Sequence, residues 1–276
     1  MAADGAIQRQ ARGLRPLDPE RVAALRAELD PTADFAEDAR RVLADLVTRL
    51  DGELRGGDLA SCRERLAEAQ ARLGGLSLAS LQPRGWFDSR SRRLKAFRRA
   101  FDAVRQDCAT VAADLDRHDQ EAGRRDGALD ALWTGIRDAV ATLDAHAAAA
   151  GAWLADQAAE DARLTAVRRR VEEIDALVVA AVRRLPLALG ARNAALPSRD
   201  GLRQAAEELG RWSAEWARVL GVDGRKPRKV VPDPDALAGT RDALSAVLAA
   251  ADRDLADAGE RRAELLARLD RLETPA

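Results

Sequence analysis

From Leu94 onward the apolar residues return at alternating steps of three and four: Phe97, Phe101, Val104, Cys108, Val111, Leu115, then Leu129, Leu132, Ile136, Ala139 and Leu143. That period puts them on one stripe of a helix, the seam by which a long helix buries against partner helices. The frame can be counted on through Ala150, Trp153, Leu164, Val167, Val171, Ile174, Val178 and Leu185. Gly151, the run of alanines at 147–150 and the polar Gln157 and Glu160 at seam positions predict a bend or turn near 145–160. An antiparallel hairpin of 92–146 with 160–185 then satisfies the whole pattern.

The flanking segments read the same way. Asp18-Pro19-Glu20 gives an N-cap, a first-turn proline and an acidic first turn for a short helix to Leu29, which Pro31 ends. Thr32 can cap a second helix carrying Phe35, Leu43, Leu46, Leu50 and Leu54, stopped by Gly56-Gly57. Asp58 can cap a third with Cys62, Leu66, Ala69 and Leu73, stopped by Gly74-Gly75. Pro83 and Gly85 make 76–91 a non-helical connector. Pro186 and Pro197 bracket a short segment, and a further helix carries Leu202, Leu209, Trp212, Trp216 and Val219. The last helix spans about 235–272. The predicted fold is all-α, an elongated bundle of antiparallel, coiled-coil-like long helices. Its segments are a disordered tail (1–17), a helical hairpin (18–75), the connector (76–91), the long-helix region (92–199) and C-terminal helices (200–276).

Composition narrows the function classes. Of 276 residues, 47% are hydrophobic and 33% charged, and there is no tyrosine. All but three of the basic residues are arginine, and the net charge is −1, so no global field draws the chain to nucleic acid or membrane. An electrostatic partner has to be engaged locally. No run approaches the ~18 apolar residues needed to span a bilayer, and the first ten residues lack the apolar core of a signal peptide, so a cytoplasmic protein is expected. Cys62 and Cys108 are isolated and sit at seam positions, where thiols pack as small apolar groups.

Local charge gathers at the entrance to the long helix. Arg84, Arg90, Arg92, Arg93, Lys95, Arg98, Arg99 and Arg105 face only Asp88 and Asp102, with Trp86, Phe87, Phe97 and Phe101 among them. Helical spacing puts Leu94, Phe97 and Phe101 on one face and Arg92 and Arg99 opposite, a solvated helix face in the plainest reading. The same stretch could hold an acidic protein, or phosphates of a membrane surface or nucleic acid. Candidate binding residues are Trp86, Phe87, Arg92, Arg93, Arg98 and Arg99. Gly224–Lys229 is a second basic cluster, a solvated loop or an anion contact. His118 and Arg125 fall in the seam inside a polar gap, where charged residues set register and partner choice. The two histidines, 118 and 146, have no metal-ligand spacing. There is no GxGxxG, P-loop or GxSxG, so no catalytic residue, cofactor or metal is expected, and no small-molecule substrate is identified.

The stretch from Leu76 to about Leu196 resembles the toxic anion resistance family, also called the tellurite resistance TelA-like family. Pro83 and Trp86-Phe87 lead into Leu94-Lys-Ala-Phe97-Arg-Arg-Ala-Phe101. Arg124-Arg125-Asp126-Gly127-Ala128-Leu129 forms a mid-helix repeat, and Leu187-Ala-Leu-Gly-Ala-Arg-Asn193-Ala-Ala-Leu196 a later segment. Gly127 stands where family members usually carry an Asn, and the ending is shorter than theirs. The resemblance implies a helical stress-response protein, a divergent or shortened member, and transfers no active site. The expected function is therefore a non-enzymatic helical interaction or scaffold protein acting through protein partners or self-association. The alternative is a peripheral membrane-surface or nucleic-acid binder using 84–105.

Overall fold

The computed structural model describes residues 17–31, 34–57, 59–82, 89–157 and 162–273, and among them the chain is helical with no strand. The helices are α1 (Pro19–Ala27), α2 (Glu37–Arg55), α3 (Leu59–Gly74), α4 (Arg90–Ala155), α5 (Ala162–Val219) and α6 (Pro234–Glu273), with a short 3-10 turn at Leu78–Leu81. The fold is an all-α helical bundle. The seam residues of α4 are its core: Phe97, Phe101, Cys108, Val111, Leu115, Leu129, Leu132, Ile136 and Leu143 are all buried.

Two helix ends differ from the expectation. α2 begins at Glu37, with Phe35 in the turn ahead of it and Ala36 in the left-handed region (φ 59°) at the N-cap. Glu37 and Asp38 supply the acidic first turn that complements the helix dipole. Thr32 and Asp58, the expected caps of α2 and α3, lie outside the described residues. The larger correction concerns α5, which runs without a break through Pro186 and Pro197 to Val219. A proline inside a helix removes one backbone bond and crowds the preceding turn, at ~3 kcal/mol. Both rings are exposed, while neighbouring Leu187, Ala188, Ala194 and Ser198 are buried, and that packing holds the helix together. α4 ends at Ala155 and α5 begins at Ala162, at the far end of the expected bend, and Gly151 and the alanine run stay helical.

The described chain divides into two compact units that cut across the linear segments of the sequence, because α4, α5 and α6 each contribute to both. Unit 1 comprises residues 1–56, 125–192 and 264–276. Its core joins Leu43, Leu50 and Leu54 of α2 to Leu132, Ile136 and Leu143 of α4, Ile174 and Val178 of α5, and Leu269 of α6. Asp130 of α4 meets Arg192 of α5 at 2.6 Å, the antiparallel pairing the hairpin requires. Asp51 and Arg184 form a buried ion pair inside this unit (Nε to Oδ1, 3.0 Å), and Arg184 also donates to the Ala180 carbonyl. Removal of the Asp51 carboxylate from water outweighs the attraction of Arg184 and pushes its pKa up.

Unit 2 comprises residues 57–124 and 193–263. Its core joins Cys62, Leu66 and Leu73 of α3 to Phe97, Phe101 and Leu115 of α4, Leu209, Trp212 and Trp216 of α5, and Leu244, Leu248 and Leu255 of α6. The aromatic rings cluster: Trp216 lies 5.0 Å from Trp212, 5.8 Å from Phe101 and 6.2 Å from Phe97, centroid to centroid. On α4 no residue between Leu115 and Leu129 is buried. The polar gap is thus the interval between the two cores' contributions, and the helix passes through Gly123 and Gly127 unbroken. Within unit 2, His118 Nε2 lies 3.1 Å from the Ser61 hydroxyl. Asp119 receives Arg199 at 3.0 Å and Arg203 at 3.3 Å. Within unit 1, Arg125 lies 3.8 Å from Glu53.

Candidate basic groove

The start of α4 and the loop after α5 meet in unit 2, and the loop's path follows from its backbone chemistry. α5 ends at Val219, where the Val222 amide donates back to the Ala217 carbonyl and Gly221 takes φ +65°. This is the Schellman arrangement, in which glycine at the left-handed position satisfies the last helical carbonyls. A Cβ at Gly221 would meet Val230 Cγ1 at 3.0 Å and the Arg228 carbonyl at 3.1 Å, so the loop's returning segment lies directly over it. The Arg228 amide donates to the Gly221 carbonyl at 2.9 Å, and its guanidinium bonds both Asp223 oxygens at 2.7 Å.

Arg98 of α4 ties this loop down. Its Nε donates to the Leu220 carbonyl at 2.7 Å and its Nη2 to the Arg228 carbonyl at 2.6 Å. One planar guanidinium thus bridges both sides of the loop's neck. Arg98→Leu is expected to lower stability by ~2 kcal/mol through the loss of two charge-assisted bonds. Amide exchange across 220–231 would rise with it, while a variant that leaves exchange there unchanged would deny Arg98 this role.

Between helix and loop lies an open groove of about 780 Å³. Arg90, Lys95, Arg98, Arg99, Arg228 and Lys229 line it against a single carboxylate, Asp102. Asp102 is itself 3.5 Å from Arg105. Arg90, Lys95, Arg99 and Lys229 make no ion pair among the described residues. The apolar part of the lining is Leu94, Val222, Pro227, Val230 and Val231. Two smaller clefts in unit 1 differ in charge. The one beside Trp133 has Asp130 and Arg192, and the one beside Leu46 has Arg49 and Glu53, so each balances one base with one acid.

The groove brings together the two basic clusters that are separate in the sequence. Of the candidate binding residues, it takes in Arg98 and Arg99; Arg92 and Arg93 are not part of its lining. Trp86 and Phe87 lie outside the described residues. Arg98 is a positioning residue for the loop. Sequence reasoning did not single out Arg90, Lys95, Arg228 and Lys229 from their neighbours, because only the long-range meeting of the helix start with the loop distinguishes them.

Other reactive groups sit in packing roles. Cys62 and Cys108 are buried and not joined in a disulfide, and burial, then the neighbouring Asp107 carboxylate, push Cys108 up to about 11. It stays protonated at neutral pH. His146 is held below the usual histidine range by burial and then by Arg21. Among the described residues no three of His, Cys, Asp and Glu come together as a metal set, and no helix is long and apolar enough to cross a membrane. Comparison with protein-family models, with curated proteins and with solved structures finds no match.

Proposed function

We propose that this chain is a non-enzymatic helical interaction protein that holds an anionic segment of a protein partner in the groove of unit 2. The observation that carries this reading is the imbalance of the lining: Asp102 is engaged by Arg105 and Arg228 by Asp223, which leaves Arg90, Lys95, Arg99 and Lys229 without an ion pair among the described residues. Elsewhere the abundant arginines are widely spent on intramolecular acids, as at Arg63–Asp252, Arg55–Asp270 and Arg192–Asp130. Cations left unpaired in a concave site focus field lines and attract a complementary charge. A cytoplasmic setting and a part in tolerance of tellurite or related stress belong to the same proposal. They rest on composition and on the resemblance carried by Pro83, Trp86-Phe87, 124–129 and Asn193. The second reading, a peripheral binder of membrane surface or nucleic acid, draws on the same positive charge.

Three probes separate these readings: an acidic peptide, a DNA duplex and phosphatidylglycerol vesicles, each titrated at about 0.15 M salt, where exposed charges more than ~8 Å apart are screened. The peptide is expected to bind most tightly, and Lys95→Glu/Arg99→Glu/Lys229→Glu to weaken it by at least about tenfold through lost and reversed charge. Preferential binding of duplex or vesicles would favour the second reading. Binding of no probe would overturn both.

A further inference from the structure

We propose that the groove selects an amphipathic acidic segment, one in which aspartate or glutamate side chains are interleaved with aliphatic ones; this rests on the protein-partner reading above. Charge alone is half of the lining. Leu94, Val222, Val230 and Val231 share the groove with the cations. Val231 is 75% exposed, more than Val42, Leu189 or Leu196, the other large apolar residues left open among the described residues. A loop that served only solvation would carry polar residues there, whereas this one places two consecutive valines beside Arg228 and Lys229.

The two kinds of lining residue also lie close enough to be read by one short chain. On α4, Leu94 neighbours Lys95 and is one turn from Arg98 and Arg90, so cation and aliphatic contacts recur within a turn. Across the groove the loop repeats that mixture with Arg228, Lys229, Val230 and Val231. The wall is fixed in place by Arg98 and by the Gly221 turn, so a ligand meets a preformed site with little ordering to pay for. A run of phosphates would satisfy the cations and leave the valines in water. A peptide with alternating acidic and aliphatic residues satisfies both.

Two labelled peptides of equal length and charge test this, one alternating glutamate with leucine and the other glutamate with serine. Titrated by fluorescence anisotropy against the full chain at about 0.15 M salt, the leucine peptide is expected to bind at least about tenfold more tightly, and to lose less affinity as salt is raised. Val231→Asp should abolish the difference between the peptides. Val231→Ser, which introduces no charge, should narrow it. Arg92→Glu, outside the groove, should leave both affinities within about twofold, the size of a remote surface effect. Equal affinity of the two peptides, or a difference that survives in both Val231 variants, would overturn the proposal while leaving a purely electrostatic protein-binding groove intact. A duplex or vesicle that binds more tightly than the leucine peptide would overturn it as well. Failure of every probe would overturn it together with the protein-partner reading.

Discussion

Trp216→Ala is expected to destabilise the protein by ~3–5 kcal/mol, the range for emptying a large aromatic site in a packed core. Trp216 has no exposed surface, and three rings close around it. Its indole Nε1 donates to the Thr240 hydroxyl of α6 at 2.7 Å, and that hydroxyl donates on to the Leu237 carbonyl at 3.1 Å. The substitution therefore opens a cavity and breaks a bridge from α5 to α6 at one position. Trp212 supplies the contrast. It is 3% exposed, yet its Nε1 is buried with no hydrogen-bond partner among the described residues. An unsatisfied donor already carries its desolvation penalty, so removing it recovers part of the lost packing. Trp212→Phe should thus be the milder change and Trp216→Phe the harsher. Chemical denaturation of the three variants checks the order. If Trp212→Phe destabilises as much as Trp216→Phe, the Thr240 bond is not a stabilising link.

Arg184→Ala is expected to cost ~3–5 kcal/mol, for a different reason: it strands the Asp51 carboxylate in the core of unit 1. Arg184 Nε contacts both carboxylate oxygens, at 3.0 and 3.1 Å, and nothing else charged is placed as well. The pH dependence carries the sign of the shift. Burial holds Asp51 above its ordinary carboxylate value despite Arg184, so the native state binds its proton more readily than the unfolded chain does. The favourable contribution is then present below the unfolded pKa and is lost as pH rises through the folded one. Without Arg184 the carboxyl should rise further, and the variant's stability should fall more steeply than that of the parent from about pH 4 upward. Replacing the pair together, Asp51→Leu with Arg184→Met, should restore stability to near or above the parent, since apolar groups of similar volume need no compensation. A double variant as weak as Arg184→Ala would show that the pair is itself a net source of stability.

The seams were legible because burial on one stripe leaves a period in the sequence: outside the polar gap of 116–128, every residue of the α4 frame between Phe97 and Leu143 except Val104 is buried. The polar gap was legible for the same reason and marks where one core gives way to the other along α4. Pro186 and Pro197 misled because local backbone chemistry argues for a break, and the packing that overrides it comes from helices distant in sequence. The ion pair of Asp51 with Arg184 was invisible because both residues look like ordinary members of a chain that is one-third charged. The groove was half visible. Each basic cluster stood out, but nothing local brings Arg98 to the carbonyls of Leu220 and Arg228, 122 and 130 residues away.

Hydrogen–deuterium exchange on the full chain, with and without the glutamate–leucine peptide, tests the central claim that the groove of unit 2 is where this protein meets its partner. The peptide is predicted to slow exchange at the first turns of α4, residues 90–102, and in the loop at 221–231, and to leave the amides of α2 unchanged. Protection confined to unit 1, or binding with no change at either groove wall, would contradict the account.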